Sequence, residues 1–323
     1  MSSSPDGDVS GSAEQDGGAT LSFDVEGGDA GQRLDKLVAR HVKSGGRRKV
    51  AELFERGAVR VGGRVAKKGA VAQEGDAVTV RLAPAILPEP GAPLDVRLET
   101  KDVVIVDKLA GQPTVPARDG DTGTLASALL ARYPEMAGVG YREREPGLLH
   151  RLDTQTSGLL VAARSATAFA TLRTALSEGR IEKRYLAVVL AAGLAEHGVI
   201  EARLAPDPHD GRRVVVVDAA RDGSDDAPAL RTTRFRTLRV SPPWALLEVE
   251  ARHAYRHQVR VHLASIGHPI AGDALYGGPR AELPGERHAL HASYVAWSGD
   301  DDVPAFAVDC PLPADLTALG FPR

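Results

Sequence analysis

The chain has 323 residues, 43% of them hydrophobic, and a single cysteine, Cys310. That length leaves room for a sizeable core and a small accessory domain, and one cysteine excludes an internal disulfide framework and argues against a cysteine-based zinc site. The formal net charge of −3 is unevenly divided: residues 1–30 hold seven acids and no Lys or Arg, whereas residues 31–68 hold twelve Lys and Arg against three acids, a net +9. No apolar run approaches the ~20 residues that cross a bilayer, and the N-terminus lacks the pattern of a signal peptide, so the expected location is the cytoplasm.

In chain order, residues 1–28 are rich in Ser, Gly and Asp with almost nothing to bury, and are expected to form a disordered acidic tail. From Gln32 the pattern turns helical. Leu34, Leu37, Val38 and Val42 share one face and Gly45-Gly46 is the expected stop. A second short helix has Val50, Leu53 and Phe54 as its apolar stripe, with Arg47, Arg48, Lys49 and Arg56 mostly off it. Ala58 to Val61, the Gly62-Gly63 turn and Arg64-Val65 predict a hairpin, and Ala77 to Leu82 a closing strand. Residues 29–83 thus form a compact basic module whose clustered cations suit sequence-independent contacts to phosphate. Four prolines in residues 84–93 predict a stiff, extended linker.

Residues 94–323 mix strands and helices without regular alternation, so the expected class is α+β, a mixed and largely antiparallel sheet with flanking helices. Strands are expected at Val103 to Val106, Leu159 to Ala163, Tyr185 to Leu190, Val199 to Leu204, Val214 to Val217, Arg231 to Val240 and Ala245 to Glu250. Helices are expected at Leu125 to Arg132 and Ala166 to Ser177, and a mobile acidic loop at Asp218 to Pro228. Asp153 lies in a polar loop just before the short apolar run Leu159 to Ala163, with Gly158 available for a sharp bend, so its carboxylate is expected at the mouth of a sheet. Two weaker signals are declined. Asp121-Thr122-Gly123 has the aspartic-protease spelling but no preceding apolar strand and no second copy, and is read as a turn and helix N-cap. His253, His257 and His262 have no accompanying Glu or Cys in a ligand pattern, so no metal is expected and a structural or RNA-contact role is assigned to them.

The stretch HRLDTQTSGLLVAARS closely resembles the signature of the RluA-type RNA pseudouridine synthases, whose catalytic Asp lies in the HRLD segment and corresponds to Asp153. VVIVDKLAGQPTVPA resembles that family's Lys-Pro-x-Gly element, with Leu109 where proline is usual. KRYLAVVLAAG resembles the segment of the active-site tyrosine, which falls on Tyr185. YRHQVRVHLASIGHPIAGDALYG resembles the third motif, whose arginine falls on Arg260, with Tyr255 where arginine is common. The residues before Pro84 resemble the S4-like, or alpha-L, RNA-binding motif through RLDKLV, VRVGGRVAKK and EGDAVTV.

These resemblances imply isomerisation of uridine to pseudouridine in structured RNA, ribosomal RNA first and transfer RNA second, without a cofactor. Asp153, Tyr185 and Arg260 would be catalytic, and Arg151, His257, Arg33, Arg47, Arg48 and Lys49 would bind substrate. Arg151 would hold the space vacated by the extruded uridine. Taken singly, Tyr185 reads as an ordinary core tyrosine and Arg260 as a surface cation on a helix whose Val259, Leu263 and Ile266 pack inward. A rival reading is a non-catalytic RNA-binding or ribosome-assembly factor retaining the fold. A nucleoside hydrolase would need a second carboxylate that no motif places near Asp153. The protein is expected to act as a monomer without an obligate protein partner.

Overall fold

The computed structural model describes residues 20–42, 46–82, 85–218, 228–252 and 254–322, which fall into two compact units divided between Ala85 and Ile86. In the first unit a strand, β1 (Thr20–Asp24), precedes two helices, α1 (Leu34–His41) and α2 (Gly46–Glu55), and then β2 (Val59–Val61), β3 (Arg64–Val65) and β4 (Ala77–Arg81). The sheet order is β1-β4-β2-β3, all antiparallel. Leu34, Leu37, Val38, Val50, Leu53 and Phe54 bury the helix stripes against Val59, Val78 and Val80.

Two expectations need correction here. The assigned acidic tail, residues 1–28, includes β1, which pairs along its whole length with β4; Phe23 stacks on His41 at 3.9 Å between ring centroids, enough apolar contact to order a segment whose composition is polar. Residues 1–19 lie outside the described residues. The first helix stops at His41, before the expected Gly45-Gly46, and Gly46 with φ 58° opens α2 instead.

The second unit begins with residues 86–93. This stretch, read as a linker, is tied to the large unit: the Glu89 amide donates to the Ser127 carbonyl at 3.0 Å, and the Gln112 side chain to the Pro93 carbonyl at 2.9 Å. There follow β5 (Asp95–Glu99), β6 (Val103–Lys108), α3 (Leu125–Arg132), β7 (Ser157–Ala163), α4 (Ala166–Ser177), β8 (Glu182–Leu190), β9 (His197–Pro206) and β10 (Val214–Val217). Next come β11 (Leu230–Ser241), β12 (Trp244–Glu250), α5 (Gln258–Ser265), β13 (Leu290–Trp297), β14 (Phe306–Asp309) and α6 (Ala314–Thr317). One ten-stranded sheet runs β10-β9-β11-β12-β8-β13-β7-β6-β5, with β14 on β13. Only the β13–β7 pair is parallel among these described strands.

The continuous apolar runs of β6 and β7 are explained by burial on both faces. Val104, Val106, Leu160 and Ala162 face one core, while Val103, Ile105, Leu159 and Val161 face the other under α4. The Asp-Thr-Gly triplet follows a turn at Asp119-Gly120 instead of forming one, and the cap of α3 is Thr124, whose side chain accepts from the Ser127 amide. Of the loop expected at Asp218 to Pro228, residues 219–227 lie outside the described residues.

Candidate active site

Asp153 sits in the loop that delivers the chain into β7. Gly158, at φ 112°, lets the strand meet β13: a Cβ there would lie 2.2 Å from the Ala292 carbonyl oxygen. The loop is clamped from β6 and the turn after it. Thr114 Oγ1 donates to the Leu152 carbonyl at 2.7 Å, the Gly111 amide to the Thr154 carbonyl at 2.8 Å, and Lys108 Nζ to the carbonyls of Leu109, Gln112 and Thr154 at 2.8, 2.8 and 3.1 Å. Lys108 is fully buried, and burial pulls its pKa down to about 7. All three of its N–H bonds are therefore used to hold backbone on both sides of the loop. The Leu109 departure from the usual proline leaves this clamp in place, with the leucine side chain exposed.

Arg260 meets Asp153 across the sheet from α5. Its Nη1 donates to Asp153 Oδ2 at 2.7 Å, while Nε and Nη2 form a forked pair with Asp273 at 2.7 and 2.8 Å. Arg260 is 6% exposed and Asp273 2%, so the reading of Arg260 as a surface cation is corrected; of the three residues expected to pack inward beside it, Val259 and Leu263 do so and Ile266 is exposed. Burial alone would raise the Asp153 pKa, but the neighbouring His257 and Arg260, with the hydrogen bond from Arg260, hold it below the ordinary carboxylate value. Burial lowers the His257 pKa against the attraction of Asp153, so Arg260 is the lasting positive charge beside the carboxylate.

His257 caps α5 in the left-handed region, at φ 56°, the one non-glycine residue with positive φ among the described residues. Such backbone strain persists only when surroundings over-determine it. Tyr276 is the constraint: its hydroxyl accepts from the Val214 amide at 2.9 Å and lies 2.9 Å from His257 Nδ1. The assignment that satisfies both has Tyr276 donating to Nδ1, which leaves His257 Nε2–H directed at Asp153 Oδ1, 3.7 Å away. The Tyr276 ring also lies under the Arg260 guanidinium, 5.1 Å from its centroid.

Tyr185 is on β8, 7% exposed, and faces the same cavity as Asp153. Burial and the nearby Asp153 charge push its phenol up to about 12. It is thus a neutral phenol at any working pH and can accept a proton only by giving up its own. Arg151 is half-exposed at the rim and pairs with Glu145 at 3.4 Å. The cavity measures about 1070 Å³, at the upper end of the ~300–1,000 Å³ of small-ligand clefts, and is open enough to admit a nucleotide with part of its strand.

The other expected binding residues are in the first unit. Arg33 precedes α1 and pairs with Asp35 at 2.9 Å; Arg47 and Arg48 are exposed on α2, whereas Lys49 is half-buried. Among the described residues no group of three or more His, Cys, Asp or Glu is placed to hold a metal ion; His262 faces Thr233 at 2.9 Å and His253 lies outside the described residues. Sequence reasoning missed Asp273, Tyr276 and His288, whose Nε2 lies 2.8 Å from Thr156 Oγ1. Asp273 and Tyr276 stand inside the third quoted motif, but nothing in their spacing tells which arginine they serve.

A mixed sheet with a carboxylate held ionised on a central loop, an arginine locked against it and a wide polar cavity defines an enzyme of the pseudouridylate synthase fold. The human RNA pseudouridylate synthase domain containing 1 superposes with a TM-score of 0.54 at 24% identity, covering 71% of this chain and 89% of that one. The model of the RNA pseudouridylate synthase family matches residues 102–265. An uncharacterized RNA pseudouridine synthase of Chloroflexus aurantiacus is 37% identical over 88% of each chain, and the ribosomal large subunit pseudouridine synthase D of Xylella fastidiosa is 32% identical over 91% of this chain and 90% of its own. The chain belongs to the RNA pseudouridine synthases, and so is an isomerase.

Proposed function

We propose that the protein converts uridine in ribosomal RNA to pseudouridine with Asp153 as the nucleophile. The observation that carries this reading is the Arg260–Asp153 contact of 2.7 Å at a cavity large enough for an extruded nucleotide. The N1–C1′ bond breaks, the base turns, C5 joins C1′, and the proton lost from C5 is matched by one gained at N1, so no redox partner is required. Asp153 attacks the sugar or assists departure of the base. Tyr185 stacks on the base and relays the C5 proton, exchanging its own hydrogen as it does so. His257 directs an N–H to the second oxygen of Asp153, and Arg151 leaves Glu145 to occupy the gap in the RNA. No cofactor takes part.

The first unit is read as an S4-like RNA-binding module, on the support of its two helices, its hairpin and the cations Arg33, Arg47, Arg48 and Lys49. Ribosomal RNA is favoured because a relative with 32% identity carries the large-subunit name, and the enzyme is read as a cytoplasmic monomer. The test is tritium release from RNA labelled at uridine C5. Asp153→Asn, which keeps the volume but removes the nucleophile, is expected to lose on the order of 10³-fold or more. Substantial release by the folded variant would remove Asp153 from this role.

A further inference from the structure

A second group of polar side chains lines the same cavity away from Arg260, and the reaction as described leaves it unused. Lys183 lies two residues before Tyr185 on β8, with side chains on the same face and Cα atoms about 6.6 Å apart by strand rise. It is 4% exposed and lines the cavity. Arg173, from α4, donates one N–H to the Leu149 carbonyl at 2.7 Å and also lines the cavity. Among the described residues neither cation has a carboxylate within salt-bridge distance, and Lys183 has no hydrogen-bond partner. His150 lies beside them and is neutral, its pKa pushed down to about 3 first by burial and then by the two cations. Its Nε2 accepts from the Val161 amide at 3.4 Å, so Nδ1 carries the hydrogen.

Burying a charge without a partner is costly, and two adjacent cations repel each other. Burial does pull the Lys183 pKa down to about 8, yet the ammonium still predominates at pH 7. A fold carries such a pair at low cost only if an anion completes it during function. Substrate RNA brings one phosphodiester on each side of the target nucleotide, within a few ångströms of the sugar that Asp153 must reach. We propose that Lys183 and Arg173 form a subsite for a backbone phosphate flanking the extruded uridine, and so seat its ribose against Asp153. This rests on Asp153 as the reaction centre. A lone depressed lysine beside a reacting base would equally suit a general base, but the adjoining Arg173 has no part in proton transfer and favours the anion site.

The test uses an RNA stem-loop carrying a mapped target uridine, unmodified or with one neutral methylphosphonate placed 5′ or 3′ of that uridine. Lys183→Met, which removes the charge while filling the buried volume, is expected to raise Kd and KM about tenfold, with kcat held within about threefold. It should also flatten the slope of log affinity against log salt by ~0.7, the value of one single-strand phosphate. Arg173→Gln should do the same. At one of the two positions the methylphosphonate should cost the wild type about tenfold and Lys183→Met less than twofold. Wild-type affinity and salt slope in both variants would overturn the proposal, as would equal losses at the two positions in wild type and variant. A fall in kcat at unchanged KM, with a displaced pH profile, would overturn it in favour of proton transfer. Failure of the wild type to form pseudouridine in any RNA would instead overturn the function proposed above.

Discussion

Arg260 is shared between two carboxylates, and the sharing sets its job. Asp273 takes Nε and Nη2, so only Nη1 is left for Asp153, and the guanidinium plane cannot swing away. Asp273→Asn keeps the shape but removes the charge. It is expected to lower kcat about 10–100-fold with a smaller change in KM, as for supporting groups around a reactive centre, in single-turnover measurements. The pH dependence follows from the depressed Asp153 pKa. Because the folded value is below the unfolded ~3.9, the ionised form contributes stability above about pH 4, and that contribution is lost as pH falls through the folded value. No acid limb from this group should therefore appear in kcat/KM between pH 6 and 8. Arg260→Gln should bring one in as the carboxylate pKa climbs; a profile with no new acid limb would show that Arg260 does not govern ionisation. Tyr185→Phe should retain RNA binding while losing turnover, since it keeps the ring and removes the relay hydrogen.

Elements meet where residue size permits, and the β7–β13 pairing is the sharpest case. The parallel pair joins Gly158 to Ala292, and a methyl at Gly158 would overlap the Ala292 backbone at 2.2 Å while also being strained at φ 112°. Gly158→Ala is expected to cost more than ~3 kcal/mol, or about 10 °C in Tm, by thermal unfolding. At the edge of the small sheet, β1 covers β4. Removing residues 1–24 should destabilise the first unit in a hydrogen-exchange experiment, raising exchange in β4 and leaving β6 and β7 of the second unit unchanged.

Charge is a property of the whole molecule, and its net value hides how it is placed. Arg47→Ala with Arg48→Ala should weaken binding to natural RNA and flatten its salt dependence by ~0.7–0.9 for each phosphate that is no longer neutralised, with the single-turnover rate at saturating RNA retained. Lys49 is half-buried, so adding Lys49→Ala should change stability more than the salt slope. Titration at several salt concentrations checks both. An unchanged slope in the double variant would make α2 a solvated face and leave RNA binding to the second unit.

Features that depend on local pattern were legible in the chain alone. Periodicity located α3 and α4 to the residue, and alternating or continuous apolar runs located most strands of the large sheet. Motif resemblance singled out Asp153, Tyr185 and Arg260, which the fold brings to one cavity from β7's loop, β8 and α5. Local pattern failed where contacts between distant segments decide the outcome. Polar composition concealed β1, whose order comes from β4 and His41, and the prolines of 84–93 concealed a segment anchored on Ser127 and Gln112. Arg260 reads as a surface cation on its own helix because Asp153 and Asp273, its counter-charges, stand 107 and 13 residues away. Packing of distant segments also gives Lys108 three backbone carbonyls to bind, while Lys183 faces the cavity without a partner among the described residues. Both are single lysines in strand-like runs. What separates them is which carbonyls and which open space the packed sheet places within reach, a quantity with no local signature in the chain.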